Sequence, residues 1–287
     1  MLRLFHIGLL VLSLLLCACH DSSPNVDTNS NGDAKAGITN APLPDAGKMI
    51  NRLITQDGCK DFVAEMRITS DADGGKQGQV EVQLQRKFTA NGASTFMTVL
   101  SPKEDSDKAL LAIEENEKPT EAFSYLAGLK KLAKLTSSRP LGFRGAKVTV
   151  QELLGMELGH YTHNAGERVN DGGESLIKIV FEAKPDFNLV FPRIVGYFRE
   201  KEEAPARFDL FGDNGELAKK LVVEQAKIIQ NRLTLTQVAI EDVSQKLKLK
   251  MEIRKVEYDR GLSDKIFTED HLKNFITEAS SKRQTVN

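Results

Sequence analysis

The 287-residue sequence has no tryptophan, four tyrosines and only three cysteines. Without tryptophan, its core has to come from Val, Ile, Leu, Met and the fourteen phenylalanines. An excess of one charge is missing too, because 39 Lys and Arg stand against 40 Asp and Glu, a formal net charge of −1. Such a balance supplies no bulk attraction to nucleic acid or acidic polymers. A membrane-spanning run is also lacking: the apolar stretch Leu4–Leu16 falls short of the roughly 20 apolar residues a spanning helix needs.

That stretch follows Arg3 and ends in "LSLLLCACH", the pattern of a positive n-region, an apolar h-region and a small-residue cleavage site. It resembles a bacterial lipobox. A cut before Cys17 would put Leu16 where a small residue belongs, whereas a cut before Cys19 puts Ala18 there. Residues 1–18 are therefore expected to leave as a signal peptide, with Cys19 becoming the lipidated (palmitate-bearing) N-terminus. Two acyl chains suffice for stable anchoring. His20 rather than Asp follows Cys19, which by the same resemblance points to the outer membrane, facing the periplasm. Removal of the leader leaves 38 basic against 40 acidic residues, net −2. It also leaves Cys59 as a lone thiol, so no intramolecular disulfide is available, and the residue reads as a small core side chain.

Residues 19–45 are rich in Asn, Asp, Ser, Gly and Pro and hold no aromatic, the composition of a flexible tether. The folded domain is expected over residues 46–279, with 280–287 a disordered tail. Asp45 caps a short helix in which Met49, Ile50, Leu53 and Ile54 share a face. From residue 60 the period is two. In "QVEVQLQRKF", Val80, Val82, Leu84 and Phe88 face one way and Glu81, Gln83, Gln85 and Lys87 the other. Similar alternation recurs through "STFMTVL", "KALLAIE", "MELGHYTH", "SLIKIVFEA" and later segments to "KLKLKMEIRKVEY", giving ten or eleven strands. Turn chemistry punctuates them at "DGGK" (73–76), "NDGG" (170–173) and "GDNGE" (212–216). Leu247, Leu249, Met251 and Ile253 hold one phase and Val256 and Tyr258 the other, which predicts a bulge near Lys255.

The fold class is mainly β (α+β): one strongly curved antiparallel sheet with few helices. An apolar inner face must be covered. Three short helices are available for it: the one near Met49, one opened by a Thr149–Glu152 capping box, and "TEDHLKNFITEA" with Leu272, Phe275 and Ile276 on one face. All three are expected on the same concave face.

The segment "AFSYLAGLKKLAKLTSSRPLGFRGAKVTVQELLG", residues 122–155, resembles the LolA/LolB-like outer-membrane lipoprotein-sorting family, in particular its branch of periplasmic lipoproteins. The resemblance rests on Phe123, Tyr125, Leu129, Lys130, Lys131, Ser137, Ser138, Arg139, Phe143, Gly145, Glu152 and Leu153. The chain departs where Phe123 stands for the usual tryptophan, Ala127 for a proline, and Ala146-Lys147-Val148 for a polar-Asp-Phe run. The resemblance implies a half-open barrel with a helical lid over a cavity for acyl chains, and no metal, nucleotide or other cofactor.

Candidate site residues follow from both readings. Val80, Val82, Leu84, Phe96, Leu153 and Met156 would line the cavity, under a lid spanning Val148 to Met156. Periodicity alone leaves open whether these residues form a cavity or a sealed core. Lys130, Lys131, Lys134, Arg139, Arg144 and Lys147 make a basic patch, free of acidic residues from Ala122 to Gln151, that is either a site for an anionic head group or a protein partner or a solvated face that keeps the strand soluble. His160 and His163 are three apart, an odd spacing that sends them to opposite faces of a strand, so they share no metal unless the segment is helical. No nucleophile elbow or paired carboxylates stand out, so catalysis is not expected. The expected function is binding of lipid or lipoprotein acyl chains by an anchored envelope lipoprotein. The alternative is a non-enzymatic module that docks onto an envelope exporter or assembly protein.

Overall fold

Alternating side chains dominate the chain beyond Asp61. The computed structural model, which describes residues 42–72, 77–143, 146–243 and 245–284, gathers them into sixteen strands among those residues. Outside them lie the signal segment 1–18, Cys19, most of the 19–45 tether, the "DGGK" turn, Arg144 and residues 285–287. Helix α1 (Ala46–Ile54) comes first, capped by Asp45, whose side chain accepts the Lys48 N–H at 3.1 Å. A first meander follows: β1 (Asp61–Ala72), β2 (Gln77–Thr89), β3 (Gly92–Ser101), β4 (Ala109–Glu115), β5 (Lys118–Leu126) and β6 (Lys131–Leu135). The separate hairpin β7 (Pro140–Phe143) and β8 (Ala146–Thr149) leads into the one-turn helix α2 (Val150–Leu153) and the short β9 (Tyr161–His163). A second meander then runs β10 (Glu167–Asp171), β11 (Glu174–Ala183), β12 (Arg193–Arg199), β13 (Ala204–Phe211), β14 (Leu217–Ile229), β15 (Arg232–Asp242) and β16 (Leu247–Tyr258), before helix α3 (Glu269–Gln284).

The two meanders form one antiparallel sheet because β1 pairs with β16. Its order runs from β10 through β16 to β1 and on to β6, and β9 adds to β11. At the seam Glu65 faces Lys255 but Met66 faces Ile253, so Arg254 is the extra residue of the predicted bulge. Asp61 fastens the same seam. Its buried carboxylate accepts N–H bonds from Arg260, Gly261 and Leu262 at 2.6, 3.0 and 3.0 Å, pinning the chain after β16 to the start of β1.

The mainly β class with few helices holds, but the count exceeds ten or eleven strands. In addition, "MELGHYTH" is not one strand. Gly155, Met156 and Glu157 take left-handed backbone, with φ of 79°, 69° and 53°. Leu158–His160 then make a 3-10 turn, and only Tyr161–His163 join the sheet. Helix α3 also continues through residues 280–284, past Ala279.

The arrangement of the covers corrects the expectation of a single concave face. Alternation on β3 sends Met97 and Val99 to one side and Phe96 to the other. The first side carries the larger core, in which Ile68, Val80, Val82, Leu84, Leu110, Phe181 and Phe208 pack under α1 and the α2 segment. The second side is closed by α3, whose Leu272 and Ile276 bury Phe96, Ala109 and Leu111. Leu84 pairs with Met97 and Gln85 with Phe96, so Phe96 stands on the opposite face from Val80, Val82 and Leu84. Both cores and every described element lie within Asn40–Asn287, a compact unit by itself.

Candidate functional site

A cleft of about 570 Å³ opens on the larger-core side of the sheet. Its walls come from the C-terminal end of α1 (Leu53, Ile54), the β2–β3 hairpin (Leu84, Arg86, Phe88), the end of β4 (Glu114, Glu115) and residues 153–160 after α2. The hairpin approaches β4 so closely that a Cβ on Gly92 would sit 1.9 Å from the Glu114 carbonyl oxygen, and φ there is 147°. Only glycine fits that position.

Of the expected cavity residues, Leu84, Leu153 and Met156 line this cleft. Val80 and Val82 are buried in the core beyond its lining, and Phe96 meets α3 instead, edge-on to Phe275 at 5.7 Å. Lys130, Lys131, Lys134 and Arg139 do not line the cleft. Lys130 and Lys131 are exposed at the β5–β6 turn, at the opposite end of β5 from Lys118, which pairs with Glu115. The length of β5 separates them from the cleft end by roughly 27 Å. Lys134 is engaged by Glu121 in an ion pair, Arg139 is exposed beside the start of α2, and Lys147 belongs to β8.

The α2 segment is held by a polar clasp. The capping box is formed: Glu152 N–H donates to Thr149 Oγ1 at 3.2 Å, and Thr149 N–H donates to Glu152 Oε2 at 2.9 Å. The same carboxylate accepts Lys219 Nζ at 2.8 and 2.9 Å, with both side chains nearly withdrawn from water and Asp242 3.8 Å away. Buried Gln151 donates to the Met156 carbonyl and to Tyr161 Oη and accepts the Val190 N–H, so one amide spans three segments. Sequence reasoning missed Lys219, although it shares a phase on its strand with buried Leu221 and Val223. Nothing in the spacing announced Gln151.

Among the polar residues of the cleft wall, which include Arg86, Glu114, Glu115 and Asn116, Glu157 and His160 are buried. Thr120 Oγ1 donates to Glu157 Oε1. His160 Nε2 lies 2.9 Å from the Glu115 carbonyl oxygen, and the ring stacks on Phe187 at 4.1 Å. Burial pushes the Glu157 carboxyl above its ordinary range and the neighbouring Glu114 charge adds to the push, while the Thr120 hydroxyl, His160 and Ser137 oppose it. Beside it, Arg86 grips Glu114 through two N–H bonds of 2.6 and 2.9 Å and donates to Thr95 at 2.8 Å. His163, by contrast, is exposed on β9. Cys59 is buried, and its thiol is pushed up to about 11 by that burial, which keeps it protonated and unreactive at neutral pH. Among the described residues no three His, Cys, Asp or Glu side chains are disposed to hold a metal ion, and no helix is long and apolar enough to cross a membrane.

The fold, an antiparallel sheet with short helices, is similar to that of solved LolA-like structures. A solved structure described as an outer membrane lipoprotein-sorting protein domain, from Vibrio parahaemolyticus, superposes with a TM-score of 0.70 at 15% identity, over 79% of this chain and 97% of that one. A DUF1329 family protein from Desulfovibrio piger gives 0.69 at 19% identity, over 78% and 96%. A LolA superfamily protein from Nitrosomonas europaea gives 0.64 at 15% identity, over 80% and 100%. No curated protein matches the sequence. Residues 91–274 match the model of a family described as uncharacterized protein, more than half of the chain, and the chain belongs to that family.

Proposed function

We propose that this protein is an anchored envelope lipoprotein that binds lipid or lipoprotein acyl chains in the cleft between α1, the β2–β3 hairpin and the segment after α2. The observation that carries the reading is the cleft itself: its 570 Å³ lies within the range of ligand pockets, and Leu53, Ile54, Leu84, Phe88, Leu153 and Met156 give it apolar walls. The LolA-like fold supports it, since a structure of that fold is described as lipoprotein-sorting. In this reading the sheet curls into a half-open barrel and Val148–Met156 is the lid over it. Residues 1–18 are a signal peptide, Cys19 carries the acyl anchor, and 19–45 tether the domain to the periplasmic face of the outer membrane. The mechanism is sequestration of acyl chains rather than chemistry on them, and an anchored protein suits the acceptor end of a transfer.

The test is mass spectrometry of an organic extract from residues 40–287 purified without detergent. A stoichiometric acyl species is expected. A clean extract from folded protein that stays empty after exposure to phospholipid vesicles sinks the reading.

One feature favours a second reading, docking onto an envelope exporter or assembly protein. The β5–β6 turn presents Leu129, 73% exposed, and Leu126 beside Lys130 and Lys131, an apolar and basic tip remote from the cleft. It predicts that Leu129→Glu breaks a protein contact and leaves lipid uptake intact.

A further inference from the structure

The cleft has one polar corner whose hydrogen-bonding capacity is not used up. Glu157 and His160 are both in its lining, with side chains only 1% and 6% exposed. Thr120 takes up Glu157 Oε1 and the Glu115 carbonyl takes up His160 Nε2, but Glu157 Oε2 and His160 Nδ1 have no hydrogen-bond partner. Ser137 faces the same carboxyl without closing a bond to Oε2. Nδ1 lies 3.9 Å from Glu157 Oε1, too far for a direct bond and close enough for one small group to reach both side chains. Two unpaired polar atoms this deeply buried are uncommon in native proteins, because each forfeits the hydrogen bond that would offset its desolvation.

The chemistry of the corner sets what fits it. A carbonyl oxygen only accepts, so His160 donates through Nε2, and in the neutral ring Nδ1 is then an acceptor. A ligand must therefore bring a hydrogen to Nδ1. Burial favours the protonated Glu157 carboxyl, which has a hydrogen to give in return. A hydroxyl does both, accepting from one side chain and donating to the other. An anionic head meets the opposite situation. Glu114 and Glu115 stand beside the corner, and the cations near it are engaged, Arg86 by Glu114 and Thr95 and Lys118 by Glu115.

We infer that Glu157 and His160 are the head-group subsite of the cleft, selecting amphiphiles with an uncharged, hydrogen-bond-donating head such as a hydroxyl over those with a carboxylate or phosphate. This rests on the cleft-binding reading above and adds the class of ligand. The apolar chain would lie along Leu84, Leu153 and Met156, with the left-handed run Gly155–Glu157 turning the carboxyl toward the head.

The experiment titrates residues 40–287, stripped of bound lipid and held at pH 6.5, with three probes of one chain length: 1-dodecanol, its methyl ether and dodecanoate. Dodecanol is expected to bind about tenfold more tightly than the ether, which lacks the hydrogen that Nδ1 needs, and dodecanoate more weakly than dodecanol. His160→Phe, which keeps a ring against Phe187, should bring alcohol and ether to within about twofold of each other. Equal binding of alcohol and ether by the wild-type protein overturns the subsite while the cleft reading stands. An alcohol preference that survives in a folded His160→Phe also overturns it. Binding of none of the three overturns the cleft reading and the subsite with it.

Discussion

Glu157 holds its carboxyl in surroundings that disfavour charge, and this has a measurable sign. The folded state binds that proton more tightly than the unfolded chain does, because burial and the Glu114 charge raise it. Its contribution to stability is therefore complete below the unfolded carboxylate range and is lost as pH rises through the folded value. Glu157→Gln keeps the shape and removes the titration. The melting temperature of the variant relative to wild type should climb as pH rises above the ordinary carboxylate range, read by a series of thermal melts. A difference that stays flat with pH would show that the carboxyl is not held protonated. At this scale the sequence was informative where a side chain obeys a local rule. Asp45 and the Thr149–Glu152 box are short-range capping geometry, and both are formed. Glu157 and His160 owe their burial to three consecutive left-handed residues, two of which are not glycine, and no pattern encodes that.

Helices and strands were legible to the extent that their apolar periods are. All three expected helices exist, because each shows an apolar face at helical spacing or a capping box. What periodicity cannot say is which face of a sheet a helix covers. A strand covered on both sides, such as β3, loses the alternation that would assign its residues, and Phe96 was misplaced for that reason. The placement of α3 has a consequence. Leu272→Ala should cost about 2–5 kcal/mol in urea unfolding, the range for a buried large-to-small change, and leave acyl binding in the cleft unchanged because α3 lies across the sheet from it. Loss of binding at full stability would mean that α3 belongs to the binding site after all. The α2 clasp behaves differently. Lys219→Met strands the Glu152 carboxylate, whose side chain is fully buried, and should cost about 3–5 kcal/mol. Adding Glu152→Gln should recover most of that loss, since the uncompensated charge is then gone. Without recovery in the double variant, the damage would come from packing rather than from the stranded charge.

The order of the whole sheet was the least legible feature, because its seam joins strands at opposite ends of the domain. β1 and β16 meet through pairs such as Ala64 with Val256, and nothing local to either strand announces the other. Hairpin turns made the neighbours within each meander readable, and the bulge near Lys255 was visible as a change of phase. The seam itself needed Asp61 and the backbone it holds at residues 260–262. Once the order is fixed, the cleft and the basic tip fall at opposite ends of β5, which the linear sequence had put side by side as lid and patch. This separation lets one pair of variants decide between the two functional readings. Leu84→Arg puts a charge on the cleft wall and should abolish acyl binding, while a partner that docks at the β5–β6 tip is still retained. Leu129→Glu, at a side chain already in water, should leave stability within about 0.5 kcal/mol of wild type and leave acyl binding intact. Envelope function in cells then separates the cases. Failure with Leu84→Arg alone assigns the function to the cleft, and failure with Leu129→Glu alone assigns it to the tip. Failure with both, each protein folded, would mean that cargo held at one end is handed over at the other, so that the length of β5 is the distance between binding and delivery.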